Sequence, residues 1–333
     1  MTIVNGIASF TPPSTPVALT LGFFDGVHRG HQQLLATLTG VARTQQATPV
    51  VLTFDSHPFR VVCPDKLPPM IMTLTQRIAL LECMGITHVI VQPFDQQFAE
   101  IPARAFVHEL LVRKIQARII VCGYDTHFGR AREGTHTLLR EMAATEGYLC
   151  DDVPPLRADT TIVSSTAIRK AIQGGDLATA RALLGRPWSI WAHVVEGLGV
   201  GRQLGFPTAN LDTGYLVVPA SGIYAAYVHL HNATYRGVLY VGTRPTVTPG
   251  VTTRTCEVYV MDFSGDLYEE WILVEPVEHL RDDQLFTTLD ELRAQISRDV
   301  QQAKSLLKTD YVSPVVLPRH YDEVDRRHRA RAR

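Results

Sequence analysis

Paired cysteine motifs are missing from this chain: its five cysteines, Cys63, Cys83, Cys122, Cys150 and Cys256, are scattered, odd in number and mostly set in apolar runs. With no CxxC pair, a zinc ribbon or disulfide framework is disfavoured and buried thiols in a reducing compartment are expected. Charge of one sign is also scarce. Lys and Arg total 32 against 33 Asp and Glu, a formal net charge of -1, so no bulk attraction to nucleic acid or anionic lipid is implied. No apolar run approaches the ~18 residues of a membrane span, and residues 1–20 lack the charged and apolar regions of a secretory signal. The expected location is therefore cytoplasmic, with neither membrane nor nucleic-acid partner; a homo-oligomer is left open. No GKS or GKT follows a glycine loop, which excludes a Walker A site.

What is present fits an ordinary globular composition, with 45% hydrophobic and 20% charged residues. At 333 residues the chain exceeds what one core usually serves, so two domains are expected. The first half alternates. A strand over Pro16–Phe24 leads to a helix over Gln32–Gln45, then come strands at Val50–Phe54, His88–Val91 and Arg118–Cys122 with helices at Thr75–Met84, Ala103–Ile115 and Thr135–Glu146. Such alternation predicts crossover connections and a doubly wound parallel sheet, with ligands beyond the carboxyl ends of the strands.

Three unusual segments each follow a strand: Gly22–His31, Phe54–Pro58 and Gly123–Arg130. In the first, His28 and His31 are three residues apart at the expected start of a helix, where free N–H groups and the dipole favour anions. Gly22, Gly26 and Gly30 would let backbone approach a triphosphate. Turn glycines with solvated histidines, or a metal site completed by Asp25, Asp55 and His57, are also compatible with the spacing. Farther on, Ser164-Ser165-Thr166-Ala167-Ile168-Arg169 reads either as an ordinary N-cap or as hydroxyls and an arginine holding phosphate oxygens.

Gly174-Gly175-Asp176 opens a short helix, Leu177–Leu184, which Gly185-Arg186-Pro187 ends, and the domain boundary is placed there. Beyond it, strands at Ile190–Val195, Gly222–His231, Tyr235–Val241, Thr255–Phe263 and Trp271–Val277 suggest a small antiparallel barrel. An amphipathic helix, about Leu289–Leu307, carries Leu292, Ile296, Val300 and Leu307 on one face. Gly197–Asn210 is read as a loop, too rich in glycine for a strand interior. Its Gly201 and Gly205 permit close approach to phosphates, Arg202 would cover them, and Thr208 and Asn210 are oxygen ligands of the kind magnesium takes. A β-turn with capping Thr and Asn has the same composition. Alternation puts Cys256, Val258 and Val260 on one strand face, Glu257 and Tyr259 on the other. A basic tail, Arg326, Arg327, His328, Arg329, Arg331 and Arg333, suits either an arm for acidic partners or a solvated terminus.

Taken in order, Gly22-Phe23-Phe24-Asp25-Gly26-Val27-His28-Arg29-Gly30-His31, His57-Pro58, Gly123–Gly129 and the Ser-Ser-Thr-x-Ile-Arg segment resemble the adenylyltransferase half of the bacterial bifunctional riboflavin kinase/FAD synthetase. The run Gly-Arg-x-Leu-Gly-Phe-Pro-Thr-Ala-Asn, then Gly242–Thr246, Glu257, Asp262–Tyr268 and Leu280-Arg281, resembles its riboflavin kinase half. The resemblance implies that residues 1–186 form the FMN adenylyltransferase domain and residues 187–333 the kinase domain with its basic tail. It further implies that riboflavin and ATP give FMN, that FMN and ATP give FAD and pyrophosphate, and that Mg²⁺ is required. In the first domain His28 and His31 would stabilise charge at the α-phosphorus, with Gly22, Phe23, Asp25, Gly26, Gly30, Ser165, Thr166 and Arg169 on ATP and His57 and Asp125 on the acceptor side. In the second, Glu257 would be the base, Thr208 and Asn210 the metal ligands, Gly201, Arg202, Gly205 and Pro207 the ATP contacts, and Arg281 a flavin-side residue.

The chain departs from the family pattern at Ser56, Thr126 and His127, which puts the adenylyl acceptor in question, and at Tyr240-Val241 and Glu269 in the second half. Two rivals follow: a kinase whose first domain has altered or lost acceptor activity, and a flavin-binding protein without turnover.

Overall fold

The computed structural model describes residues 1–197, 199–230, 233–245 and 252–316; Leu198, Thr246 and the basic residues from Arg326 to Arg333 lie outside them. The described residues divide into two packed units, Met1–Pro68 with Leu74–Ser164, and Pro69–Thr73 with residues 165–316.

In the first unit, strands β1 (Thr2–Asn5), β2 (Val17–Leu21), β3 (Thr48–Phe54), β4 (His88–Gln92) and β5 (Ala117–Gly123) are followed by a small hairpin, β6 (His127–Phe128) and β7 (Gly134–Thr135), and by β8 (Leu149–Val153). One sheet takes the order β1-β4-β3-β2-β5-β8. Every pairing in it is parallel. All five residues of β2 are buried, the pattern of a strand covered on both faces. Crossovers run through α1 (Arg29–Thr44), α2 (Leu74–Cys83), the helical segments Ala103–Ala105 and Phe106–Lys114, and α3 (His136–Glu146). Phe106–Lys114 has the wide turns of a π-helix where the spacing predicts an α-helix, and still buries Phe106, Val107 and Leu111.

The helical spacing of α1 through Leu34, Leu35, Leu38 and Val41 buries the three leucines; Val41 is half-buried, and Ala42 next to it is buried instead. Leu19, Leu52, Ile120, Phe106, Leu111 and Leu139 share one core cluster. Truncating any of these leucines to alanine would cost about 2–5 kcal/mol. Two strands of this sheet escaped the sequence reading. Both β1 and β8 are edges with half-exposed side chains, so neither shows an apolar run.

The order of this sheet locates its crevice. From β2 the chain steps outward through β3 and β4, then returns to the other side of β2 for β5, so the connection reverses between β2 and β5. In parallel sheets ligands bind outside the carboxyl ends at such a point. The segments after β2, β3 and β5 all leave from that rim, as topology predicts. A last hairpin, β9 (Arg157–Ala158) and β10 (Thr161–Ile162), ends the unit.

The second unit opens with α4 (Ser165–Gln173) and α5 (Leu177–Leu184). The latter is capped by Asp176, whose carboxylate accepts from Thr179 N at 2.9 Å, and stopped by Gly185 at φ 73°. Strands β11 (Ile190–Val195), β12 (Thr208–Asp212), β13 (Gly222–Leu230), β14 (Ala233–Pro245), β15 (Thr252–Val260) and β16 (Trp271–Arg281) close a barrel in the order β11-β12-β15-β14-β13-β16. All its pairings are antiparallel.

One expectation is corrected here. Thr208 and Asn210 stand on a barrel strand, not in a loop, because the glycines stop at Gly205 and Ala209 and Leu211 then alternate inward. The glycine-rich part before it forms a short turn, α6 (Val200–Gln203). The last helix, α7 (Leu289–Leu306), is capped by Thr288 and packs Ile296, Val300 and Ala303, with Leu307, against Ile223, Ala225, Tyr227 and Val238 of the barrel.

Candidate active sites

At the first site β2 ends at Leu21, and Gly22 N donates to Leu52 O at 3.0 Å. The chain then takes positive φ at Phe24 (56°), Gly26 (85°) and Val27 (37°). A β-branched residue seldom adopts this backbone. The turn is held by Val27 N donating to Phe24 O (3.1 Å), Gln32 Nε2 to Val27 O (2.9 Å) and Thr53 Oγ1 to Phe23 O (3.3 Å).

His28 follows as the N-cap of α1, its Nδ1 accepting from His31 N at 3.3 Å. That bond places the proton of the neutral ring on Nε2. The two imidazoles stack, centroids 3.6 Å apart and planes at 15°, with Phe24 edge-on to His31. Gly30 leaves room for this packing: a Cβ there would stand 3.2 Å from His28 Nδ1 and oblige the ring to give by a few tenths of an ångström. The sequence expectation of both histidines on one side of the first helical turn is therefore met. They sit where the positive end of a 16-residue helix would favour a phosphate. Val163, two residues before Ser165, has its carbonyl 3.7 Å from the same Cβ position.

After β3, Asp55 Oδ1 accepts from Phe94 N and from Ser56 Oγ, each at 3.2 Å. His57 Nδ1 accepts from Phe59 N at 3.1 Å, and its ring meets Phe23 edge-on at 4.8 Å. The loops after β2 and β3 thus touch through Phe23 and His57. Asp25, within the loop after β2, is buried at 4% exposure. Asp125 is exposed on the loop after β5, where Thr126 N closes a turn onto Gly123 O and His127 is also exposed. Ser165, Thr166 and Arg169 lie on α4 of the second unit; Thr166 is exposed and Arg169 Nε donates to Pro69 O at 2.7 Å. Among the described residues no group of three His, Cys, Asp or Glu converges to hold a metal.

The sequence reading missed Arg77, on α2. Only 3% exposed, it donates to the Phe23 and Phe54 carbonyls and to Thr53 Oγ1, and its guanidinium lies 4.3 Å from the Phe23 ring centroid. Burial pulls it down to about 10, opposed by Asp25 and Asp55, so it stays charged at neutral pH. A signal was available. Arg77 falls in the apolar run Leu74, Ile78, Leu81, and a lone charge among core positions needs a buried partner.

The second site is set by strand pairing. Asn210 stands opposite Glu257 and Thr208 opposite Tyr259 in the β12–β15 ladder. Thr208 and Asn210 share a face, and Thr208 Oγ1 donates to Glu257 Oε2 at 3.1 Å. The predicted alternation holds: Cys256, Val258 and Val260 are buried, Glu257 and Tyr259 half-exposed. Gly197 lies against Asn210, where a Cβ would come to 2.6 Å of Oδ1 and closer to the amide nitrogen. No other residue fits there unshifted. The turn continues with Phe206 N donating to Gly201 O (2.8 Å), while Arg202, Gly205 and Pro207 are exposed. An all-oxygen set of hydroxyl, amide and carboxylate beside a glycine cradle suits a hard cation such as Mg²⁺.

Arg281 is tied to the terminal helix. Its Nε and Nη2 bind Asp299 of α7 at 2.8–3.2 Å, and Gln295 Nε2 donates to the same carboxylate at 2.8 Å. Two departures find local partners: Glu269 Oε2 lies 3.2 Å from His193 Nε2, and Tyr240 Oη donates to Asp283 Oδ2 at 3.1 Å.

Two family models match the chain, FAD synthetase over residues 11–167 and riboflavin kinase over residues 184–307. The chain is 36% identical over 306 residues to the bifunctional riboflavin kinase/FMN adenylyltransferase of Escherichia coli, covering 91% of this chain and 97% of that protein. With the enzyme of that name from Haemophilus influenzae, identity is 34% over 310 residues, 93% of this chain and all of the other. Among solved structures, one described as a macrolide-efflux protein from Streptococcus pneumoniae matches at TM-score 0.80 and 31% identity, covering 91% of this chain and 99% of that one. That name belongs to that protein; among the residues described here no helix is long and apolar enough to cross a membrane.

Proposed function

The chain belongs to the bifunctional riboflavin kinase/FMN adenylyltransferase family, and on that premise we propose how its residues divide the two reactions. Riboflavin is phosphorylated by ATP to FMN, and FMN is adenylylated by a second ATP to FAD with release of pyrophosphate. We assign adenylyl transfer to residues 1–186 and phosphorylation to residues 187–333, although packing groups α4 and α5 with the barrel.

The observation that carries the kinase assignment is the Thr208–Asn210–Glu257 cluster, three polar side chains fixed by register on adjacent strands. Glu257 takes the proton from the ribityl 5′-hydroxyl. Thr208, by donating to Oε2, holds the carboxylate in one orientation and marks it as an acceptor. Thr208 and Asn210 would hold Mg²⁺, which when bound supplies positive charge to the ATP phosphates. Gly197 leaves the space that keeps Asn210 in place, and Gly201, Arg202, Gly205 and Pro207 line the phosphate approach. Arg281 serves this site through the terminal helix, by its pairing with Asp299.

In the other reaction no covalent intermediate is needed, only alignment and charge stabilisation. His28 and His31, stacked at the start of α1, face the charge that develops at the α-phosphate. Gly22, Phe23, Asp25, Gly26 and Gly30 shape the turn that carries them; Ser165, Thr166 and Arg169 contact ATP, and His57 and Asp125 the acceptor. The five free cysteines support a reducing, cytoplasmic setting.

Time-resolved chromatography of products from riboflavin, ATP and Mg²⁺ tests the whole scheme. FMN should rise first, then FAD with pyrophosphate. FMN without FAD would establish a kinase whose first domain no longer accepts FMN, and unchanged riboflavin with no riboflavin-dependent ADP release would overturn both activities.

A further inference from the structure

We propose that Arg77 is a positioning residue for adenylyl transfer: its buried guanidinium locks together the two loops that carry His28, His31 and His57. The inference rests on the assignment of those histidines to that reaction.

Two observations point there independently. First, the guanidinium spans both connections, donating to Phe23 O in the loop after β2 and to Phe54 O at the end of β3 where the second loop begins, and reaching Thr53 Oγ1, which itself donates to Phe23 O. Each loop also contributes a carboxylate, Asp25 or Asp55, near enough to favour its charge. A planar fork serves acceptors in several directions at once, whereas an ammonium is a single point donor. Second, the loop it holds is strained. Phe24 and Val27 keep positive φ, and such backbone persists only when its surroundings over-determine it.

The strained turn ends at His28, the N-cap, so its shape sets where both imidazoles stand. Phe23, stacked under the guanidinium, is also the ring that His57 touches. Loosening the clamp would therefore shift the anion site and the acceptor-side histidine together. Arg77 itself, at 3% exposure beneath the turn, acts through these groups.

The test is steady-state kinetics on the full chain. Arg77→Lys should lower kcat for FAD formation from FMN and ATP by about 10- to 100-fold, the cost of roughly 1 Å of misplacement, with KM for both substrates changed by less than about 3-fold. Phosphorylation of riboflavin should be unchanged. Thr53→Val, which removes one partner of the guanidinium and conserves shape, should lower the same kcat by about 3- to 10-fold, a lost hydrogen bond's worth. Thermal unfolding is followed alongside. If Arg77→Lys does not fold, Thr53→Val decides. The inference is overturned if the folded variants keep kcat within about 2-fold of the parent, or if KM rises with kcat unchanged, the sign of lost uniform binding. His28→Ala separates the two layers: intact FAD formation there removes the site assignment itself, while its loss beside an active Arg77→Lys overturns only the clamp.

Discussion

Thr208, Asn210 and Glu257 are placed by the hydrogen-bond register of two barrel strands, whereas His28, His31 and His57 are placed by loops at the rim of a parallel sheet. A ladder fixes neighbouring side chains at about 4.5–5.5 Å with no further device. A loop has no such frame. The rim site instead uses a helix cap, a turn of strained backbone, a ring stack and a buried arginine to reach comparable order. Strand sites should therefore lose activity mainly through the altered side chain, and loop sites also through residues that never meet substrate.

The largest effect expected is at Glu257. Glu257→Gln keeps the shape and the acceptor for Thr208 but removes the base, and FMN formation should fall by about 10²- to 10⁴-fold. FAD formation from supplied FMN should persist, measured in the same preparation. Retention of kinase turnover would remove Glu257 from the mechanism.

At the rim, His28→Ala or His31→Ala should lower FAD formation by about 10²- to 10³-fold, the usual consequence of deleting one charge-stabilising donor. His28→Ala carries a second consequence that His31→Ala does not, because its Nδ1 caps α1. Loss of that cap should destabilise the first unit by about 1 kcal/mol. Comparing thermal midpoints of the two variants isolates this difference, and equal midpoints would show the cap to be immaterial.

Arg281 probes how far the barrel site depends on its own clamp. Asp299 is 3% exposed, so Arg281→Ala would leave a buried carboxylate with Gln295 in place of a guanidinium. A loss of about 3 kcal/mol in denaturant unfolding of the barrel is expected. If stability holds and riboflavin affinity alone falls, Arg281 acts on the flavin directly rather than through Asp299. A smaller perturbation lies at the cradle. Gly197→Ala should push Asn210 aside and lower FMN formation by about 10-fold, roughly 1.4 kcal/mol of lost transition-state stabilisation.

How much of this was legible beforehand follows the same division. The central strands β2, β3 and β5 were readable because each is an apolar run between turn signals, and α1 because its leucines repeat at helical spacing. The edges β1 and β8 were not, being short and half solvated. β12 was hidden by the glycines preceding it, so that Thr208 and Asn210 were read as loop residues. The candidate site residues were named from motif order, which is a local signal. The partners of Arg77 and Arg281 were not, because carbonyls of Phe23 and Phe54 and the carboxylate of Asp299 meet them only through tertiary packing.

Thr208 offers the finest test of the register argument. Its hydroxyl bonds Glu257, while its methyl group lies beside the turn, 3.4 Å from where a Cβ on Gly201 would stand. Thr208→Ser keeps the hydroxyl and removes only the methyl. If position comes from the β12–β15 ladder, the serine oxygen still reaches Glu257, and FMN formation should change by less than about 3-fold, the scale of one lost methyl contact. Thr208→Val, of nearly the same shape, removes the oxygen and should fall well below it in kcat at saturating Mg²⁺. Equal losses in the two variants would mean that the β-branched shape, rather than the ladder, holds the hydroxyl in place, and the contrast between a strand-built and a loop-built site would then narrow.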